Sequence, residues 1–210
     1  MSKPAEPEPT AEEEARREAL QEFHIARSEA LNTYAELERH MAFTFDLLLG
    51  TDSRKAFCVF SSVLNTRARL KMLQHLVKLT YPGTADDPTK YDDFIVGFSE
   101  GVGKLDGFRN KLVHWIIEGN HRGEEAFDSS KDIFLADHPD IFKGNKRYLP
   151  EILEFDGKAK FFSLLIFYFS TYLRHPTDLG NPDKTPWPEI FQQRPVYPPP
   201  IGHQLDRFAK

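Results

Sequence analysis

Apolar residues recur at helical spacing through most of the chain, and the places where that rhythm stops divide it into elements. Thr10 followed by Glu13 forms the sequence pattern of a capping box. From there Leu20, Phe23, Leu31, Tyr34, Leu37, Met41, Phe45 and Leu48 keep three- and four-residue intervals up to Gly50, which predicts one long helix. Thr51 or Asp52 is placed to cap a second helix. Its apolar positions, Phe57, Phe60, Val63, Leu64, Leu70, Leu73, Leu76 and Val77, run to the Tyr81-Pro82-Gly83 stop, so two antiparallel helices are expected. A loop around Ala85-Asp86-Asp87-Pro88 leads to a third helical pattern from about Tyr91 to Ile117, which holds despite four glycines that each disfavour a helix interior.

Between 119 and 150 turn formers dominate. Short β-like runs at Asp132–Leu135 and Glu151–Phe155 suggest a small hairpin there. A fourth helix is expected from Asp156 to Arg174, with Phe161, Phe162, Leu164, Leu165, Phe167, Tyr168, Phe169, Tyr172 and Leu173 all around its axis. Such a helix is buried on several sides, or on one side by its own chain and on another by a partner. Beyond Pro176 the chain is proline-rich and carries Trp187, Phe191 and Tyr197, which suits an extended strap over the bundle. The pattern therefore predicts a mainly α, four-helix up-and-down bundle over residues 11–175. An irregular or hairpin insertion falls at about 119–155, a disordered acidic leader at 1–10 and a proline-rich extension at 176–210.

Composition narrows the setting. With 210 residues, 40% hydrophobic and 13% aromatic, the chain has the material for a sizeable core. Cys58 is the single cysteine, which rules out an intrachain disulfide framework, favours a reducing compartment and sits where a buried structural thiol is expected. A formal net charge of −5 argues against nucleic-acid binding through bulk charge, so an anionic ligand needs a local site. The acidic, proline-bearing start reads as neither a signal peptide nor a presequence, and the run from Phe161 to Leu173 is too short to span a bilayer; a cytoplasmic protein without membrane contact is expected.

The third helix holds the candidate chemistry. At about 100° per residue, Phe94, Phe98, Val102, Leu105, Phe108, Leu112 and Ile116 share an apolar face. Ser99, Gly103, Gly107, Asn110 and His114 form a polar and small-residue stripe opposite, with Arg109 placed at its edge. Glycines in such a line permit close approach of a ligand or another backbone; a plain solvated face accounts for them too. Asn110 and His114 are helical neighbours, and Arg109 lies about 7.5 Å before His114 along the axis. A guanidinium offers a positive fork for phosphate oxygens. An imidazole titrates near neutrality and is suited to take a proton from a ribose 2′-hydroxyl or return one to a leaving oxygen.

Arg109-Asn110-Lys111-Leu112-Val113-His114, followed by Trp115, resembles the Arg-Asn-three residues-His signature of HEPN domains, many of which are small helical ribonucleases of defence or toxin systems. The looser form, Arg and His separated by four to six residues, is also met by Arg17 with His24 and by Arg69 with His75. Asn directly after Arg occurs in this setting only at Arg109. The resemblance implies a HEPN-like bundle and metal-independent RNA cleavage by transesterification, leaving a 2′,3′-cyclic phosphate and a 5′-hydroxyl. It implies that Arg109 binds the scissile phosphate, that His114 is general base or acid, and that Asn110 orients substrate or histidine. It also implies a homodimer with two motifs at one cleft, RNA as substrate and, in a toxin system, a cognate antitoxin protein. Other members are inactive scaffolds or nucleotide-sensing modules, so a non-catalytic nucleotide-binding or protein-interaction module is the competing reading.

Other features compete with these. Arg67, Arg69, Lys71, His75 and Lys78 make the second helix locally basic, as an RNA-tracking surface or an ordinary solvated face. Glu36, Arg39 and His40 are candidate polar partners for the motif, though surface pairing explains them as well. No His-Glu-x-x-His or paired Glu-x-x-His motif is present, and no metal or cofactor is expected.

Overall fold

The computed structural model of the chain describes residues 9–82, 91–119, 128–137, 145–175 and 180–209. The protein is mainly helical, with a small three-stranded sheet. The leader before residue 9 and the loop at 83–90 lie outside the described residues, as does part of the insertion.

Helix α1 spans Ala11–Leu49 and has the ends its sequence predicts. Thr10 accepts a hydrogen bond from the Glu13 amide at 3.2 Å, and the Glu13 carboxylate accepts from the Thr10 amide at 2.7 Å. Gly50 closes the helix at φ 63°, a left-handed turn that glycine adopts without a Cβ penalty. The single second helix is a correction. Two helices stand in its place, α2 (Ser53–Ser62) and α3 (Thr66–Thr80), broken at Val63-Leu64-Asn65. Asn65 causes the break by capping α3, its side chain accepting from the Ala68 amide at 3.2 Å. Arg69 Nε donates to the freed Val63 carbonyl at 2.6 Å. Leu64, assigned to the core by periodicity, is 89% exposed at the corner.

The break changes direction as well as continuity. Arg69 pairs with Glu38, and four residues earlier on α1 Tyr34 shares the Asp106 carboxylate with Thr66, so α3 runs parallel to α1 rather than antiparallel. Helix α4 (Asp92–His114) returns against α3, with Lys78 on Asp92 at one end and Thr66 on Asp106 further along. After it come strand β1 (Ile116–Gly119), the short α5 (Ser129–Asp132), β2 (Ile133–Ala136) and β3 (Lys146–Arg147). The three strands are antiparallel in the order β1-β2-β3, with Ile117 opposite Leu135 and Leu135 opposite Arg147. Every residue of β2 is buried.

Helix α6 spans Leu149–Arg174, so the Glu151–Phe155 run is helical, against the β-like expectation. Pro150 sits in the first turn, where its missing N–H costs nothing, and Glu151 accepts from the Tyr148 amide at 3.0 Å. Thr33, His40 and Thr44 meet Asp156, Ser163 and Ser170 in the same order, so α1 and α6 run parallel. Against α4, α6 is antiparallel: Phe108, Phe98 and Phe94 contact Phe155, Phe162 and Phe169.

The proline-rich end is part of the core rather than an extended strap. It forms α7 (Trp187–Ile190), turns, and a short 3-10 helix at Asp206–Phe208. Trp187 stacks on Tyr168 at 4.6 Å, and Phe191 is fully buried among Phe94, Phe169 and Tyr172. This segment covers the flank of α6 that its all-round apolar pattern left open to a partner. Cys58 is exposed, against the expectation of a buried thiol, because α2 buries only Ala56 and Phe60.

Candidate functional site

Helix α4 places its two faces differently from the sequence projection. Phe94, Phe98, Val102, Leu105 and Leu112 are buried as expected, but Ile116 is 46% exposed in β1 and Ser99 is buried, its hydroxyl donating to the Ile95 carbonyl. The glycines divide as well. A Cβ at Gly97 would meet Arg194 Cγ at 2.4 Å, and one at Gly101 would meet Phe162 Cζ at 2.2 Å. Among the described residues, a Cβ at Gly103 or Gly107 would meet nothing within 4 Å. Close approach within the chain is thus the reason for Gly97 and Gly101, whereas Gly103 and Gly107 leave an open ridge.

Of the three candidate residues, Asn110 and His114 lie on the exposed side, one helical turn apart, with His114 at the last position of α4. Arg109 does not sit at the edge of that stripe. Five residues before His114, it is rotated about 140° around the helix and faces α1. Its Nη2 donates to Asp106 Oδ1 at 2.9 Å and its guanidinium lies 5.3 Å above the Tyr34 ring. The same Asp106 oxygen accepts from the Tyr34 hydroxyl at 3.1 Å and from Thr66 Oγ1 at 2.9 Å. One carboxylate therefore joins α1, α3 and α4. Burial, with the Asp106 carboxylate second, pushes the Tyr34 phenol above its ordinary value, which keeps it a proton donor. The Arg109 side chain remains 28% exposed, and its buried Nε has no hydrogen-bond partner among the described residues.

A second guanidinium reaches the end of α4 from a residue that sequence reasoning missed. Arg27 on α1 donates through Nε to the Leu112 carbonyl at 2.6 Å and through Nη2 to the Val113 carbonyl at 3.2 Å. It satisfies carbonyls that the helix end would leave unpaired and sets a positive charge beside the residue preceding His114. Its 85-residue separation from Leu112 left no local sign. Asp106 had one, since an acid three positions before an arginine is a helical pair. The suggested helpers on α1 are elsewhere: Glu36 pairs with Arg39, and His40 Nδ1 meets Ser163 at 2.8 Å.

Two clefts flank α4. One, of about 480 Å³, lies between α4, α6 and residues 194–197, with Phe108, Phe155, Phe162 and Tyr197 in its walls. Its charges are largely paired off, Arg194 with Glu100 and Lys158 with Glu154. The other, of about 460 Å³, lies between α3 and α4. Among the described residues no group of three or more His, Cys, Asp or Glu side chains gathers as metal ligands, and no helix is long and apolar enough to cross a membrane. Comparison of the chain with protein-family models, curated proteins and solved structures finds no match.

Proposed function

We propose that the protein is a metal-independent endoribonuclease of HEPN type, with the long helices α1, α3, α4 and α6 as its bundle. The observation that carries this reading is the exposed pair Asn110 and His114 at the end of α4, with the partly exposed Arg109 on its flank and Arg27 behind it. His114 takes the proton of a ribose 2′-hydroxyl, and the oxygen so freed attacks the adjacent phosphorus. The 5′-oxygen leaves with a proton from a second acid, and the products are a 2′,3′-cyclic phosphate and a 5′-hydroxyl end. In a homodimer the second acid is the other copy's His114. Asp106 engages one Nη2 donor of Arg109 and the Nε–H is buried, so the remaining Nη donors serve the phosphate. In a toxin system the antitoxin covers this same end of α4.

A second reading, an interaction module without turnover, draws on the commitment of Arg109 to Asp106 and Tyr34, which gives that residue a structural task. Incubation of the purified protein with mixed RNAs in excess chelator separates the two. Cleavage giving cyclic-phosphate ends, lost in His114→Ala and reduced at least about tenfold in Arg109→Lys, supports the enzyme. Arg109→Lys keeps a cation for Asp106 and removes only the fork, so a folded protein is expected. Cutting that persists equally in both variants, or wild-type protein that binds RNA and never cuts it, rejects the nuclease.

A further inference from the structure

The α3–α4 groove collects cations that no other described residue pairs with. Of the basic residues on α3, Arg69 is turned inward to Glu38 and the Val63 carbonyl, and Lys78 pairs with Asp92. Arg67 and Lys71 are exposed, line the groove and make no ion pair or hydrogen bond among the described residues. Lys104 of α4 joins them from the opposite wall, equally unpaired. Among the described residues the one carboxylate on the groove is Glu100, which Arg194 engages at 3.1 Å. Three unneutralised cations on a chain of net charge −5 form a local positive strip.

The floor is as informative as the walls. Gly103 lines the groove, and the space above it is open, so a strand can lie close to the α4 backbone. Gly107, Asn110 and His114 continue the same side of α4. From Gly103 to His114 is eleven residues, or about 16 Å of helix, a distance spanned by a few nucleotides of extended RNA. We infer that Arg67, Lys71 and Lys104 form a phosphate track that holds single-stranded RNA in the α3–α4 groove and feeds it toward His114. The inference rests on the RNA reading above and adds the path of the substrate to it. Recognition is of the backbone, so it is tolerant of sequence.

The test uses full-length His114→Ala protein, to prevent cutting, and a fluorescent single-stranded oligouridylate of about twelve nucleotides titrated at several salt concentrations. Three phosphate contacts at about 0.7 each contribute roughly 2 to the slope of log affinity against log salt. Combined Arg67→Ala, Lys71→Ala and Lys104→Ala substitution is expected to remove that part of the slope and weaken binding about tenfold or more. Gly103→Glu places a carboxylate on the floor without a steric clash and is expected to weaken binding alone. Melting temperatures no lower than the parent's verify that these variants fold. Absent RNA binding, an unchanged slope in the triple variant, or equally tight groove-dependent binding of polyglutamate or anionic vesicles overturns the proposal. Wild-type cutting that survives the triple substitution sinks the track and spares the nuclease. Groove-dependent binding without wild-type cutting sinks the nuclease and spares the track.

Discussion

On one flank of α4, Gly97 and Gly101 are pressed against Arg194 and the Phe162 ring, and Arg109 is drawn into a carboxylate shared by three helices. On the other, Gly103 and Gly107 meet open space and Asn110 and His114 face solvent. Similar residue types, a glycine pair and polar side chains near one helix end, thus do opposite work 100° to 180° apart. The inner flank is fixed by packing and shared hydrogen bonds. Among the described residues the outer flank is free of both, as the proposed path of an RNA strand requires. Arg109 belongs to the first flank and His114 to the second, and the proposed chemistry needs them to act on one phosphate.

The largest expected effect comes from cutting the inner flank at its hub. Asp106→Ala strips an acceptor from Tyr34, Thr66 and Arg109 at once and leaves a guanidinium, nearly three quarters buried, without its counter-charge. Removing one partner of such a pair costs about 3 kcal/mol of unfolding free energy, after discounting for the remaining exposure. Asp106→Asn keeps an acceptor and loses the charge, and about half that cost is expected. Urea denaturation of the three proteins measures both. A loss below about 0.5 kcal/mol in the alanine variant means that Arg109 is not held there, and the two flanks are not distinct in energy.

Glycine substitutions sharpen the contrast at smaller magnitude. Gly101→Val forces its side chain into the Phe162 ring, which Phe98 and Phe161 hold in place, and is expected to cost about 2–3 kcal/mol. Gly103→Ala and Gly107→Ala add a methyl to open space within a helix and are expected to stabilise by up to about 1 kcal/mol each. Opposite signs in urea midpoints at positions on one helix confirm the division. The same sign at all three positions contradicts it.

How much of this could be read beforehand depends on whether the determining contact is local. The capping box at Thr10, the Gly50 stop and the core face of α4 are set by residues a few positions apart, and the chain carries them openly. The break before α3 was missed because Val63 and Leu64 keep the helical rhythm while Asn65 offers a cap that outcompetes it. The sign of each glycine was hidden, because only the approach of Phe162 and of residues 194–195 tells Gly97 and Gly101 from Gly103 and Gly107. For the candidate site, Arg109, Asn110 and His114 stood out by spacing. The inward turn of Arg109 could have been found from Asp106, three residues earlier, and from its position beside Val102 and Leu105 on the buried side. Arg27 and Lys104 acquire their meaning from helix packing.

The smallest effect contrasts a half-buried histidine with the exposed one at the end of α4. His203 lies half-buried beside Trp187 and Phe161, and its Nδ1 accepts a hydrogen bond from the Leu205 amide at 2.9 Å, which requires that nitrogen to be unprotonated. Burial holds its pKa below the ordinary value of 6.5, against the pull of Asp206. The unfolded chain therefore takes up the proton at higher pH than the folded one. Between the ordinary value and the lowered one, the unfolded state binds more protons and stability rises with pH. Acidification from about pH 7.5 to 5.5 is expected to lower the melting temperature, and His203→Gln, whose side-chain oxygen can accept from the same amide, is expected to shrink that drop. Burial lowers the His40 pKa in the same direction, so the His203 variant removes part of the slope and leaves the rest. Thermal melts of the two proteins at the two pH values decide the matter. A wild-type protein that gains stability on acidification, or a His203→Gln variant with an undiminished slope, shows that the ring is not held where its contacts place it.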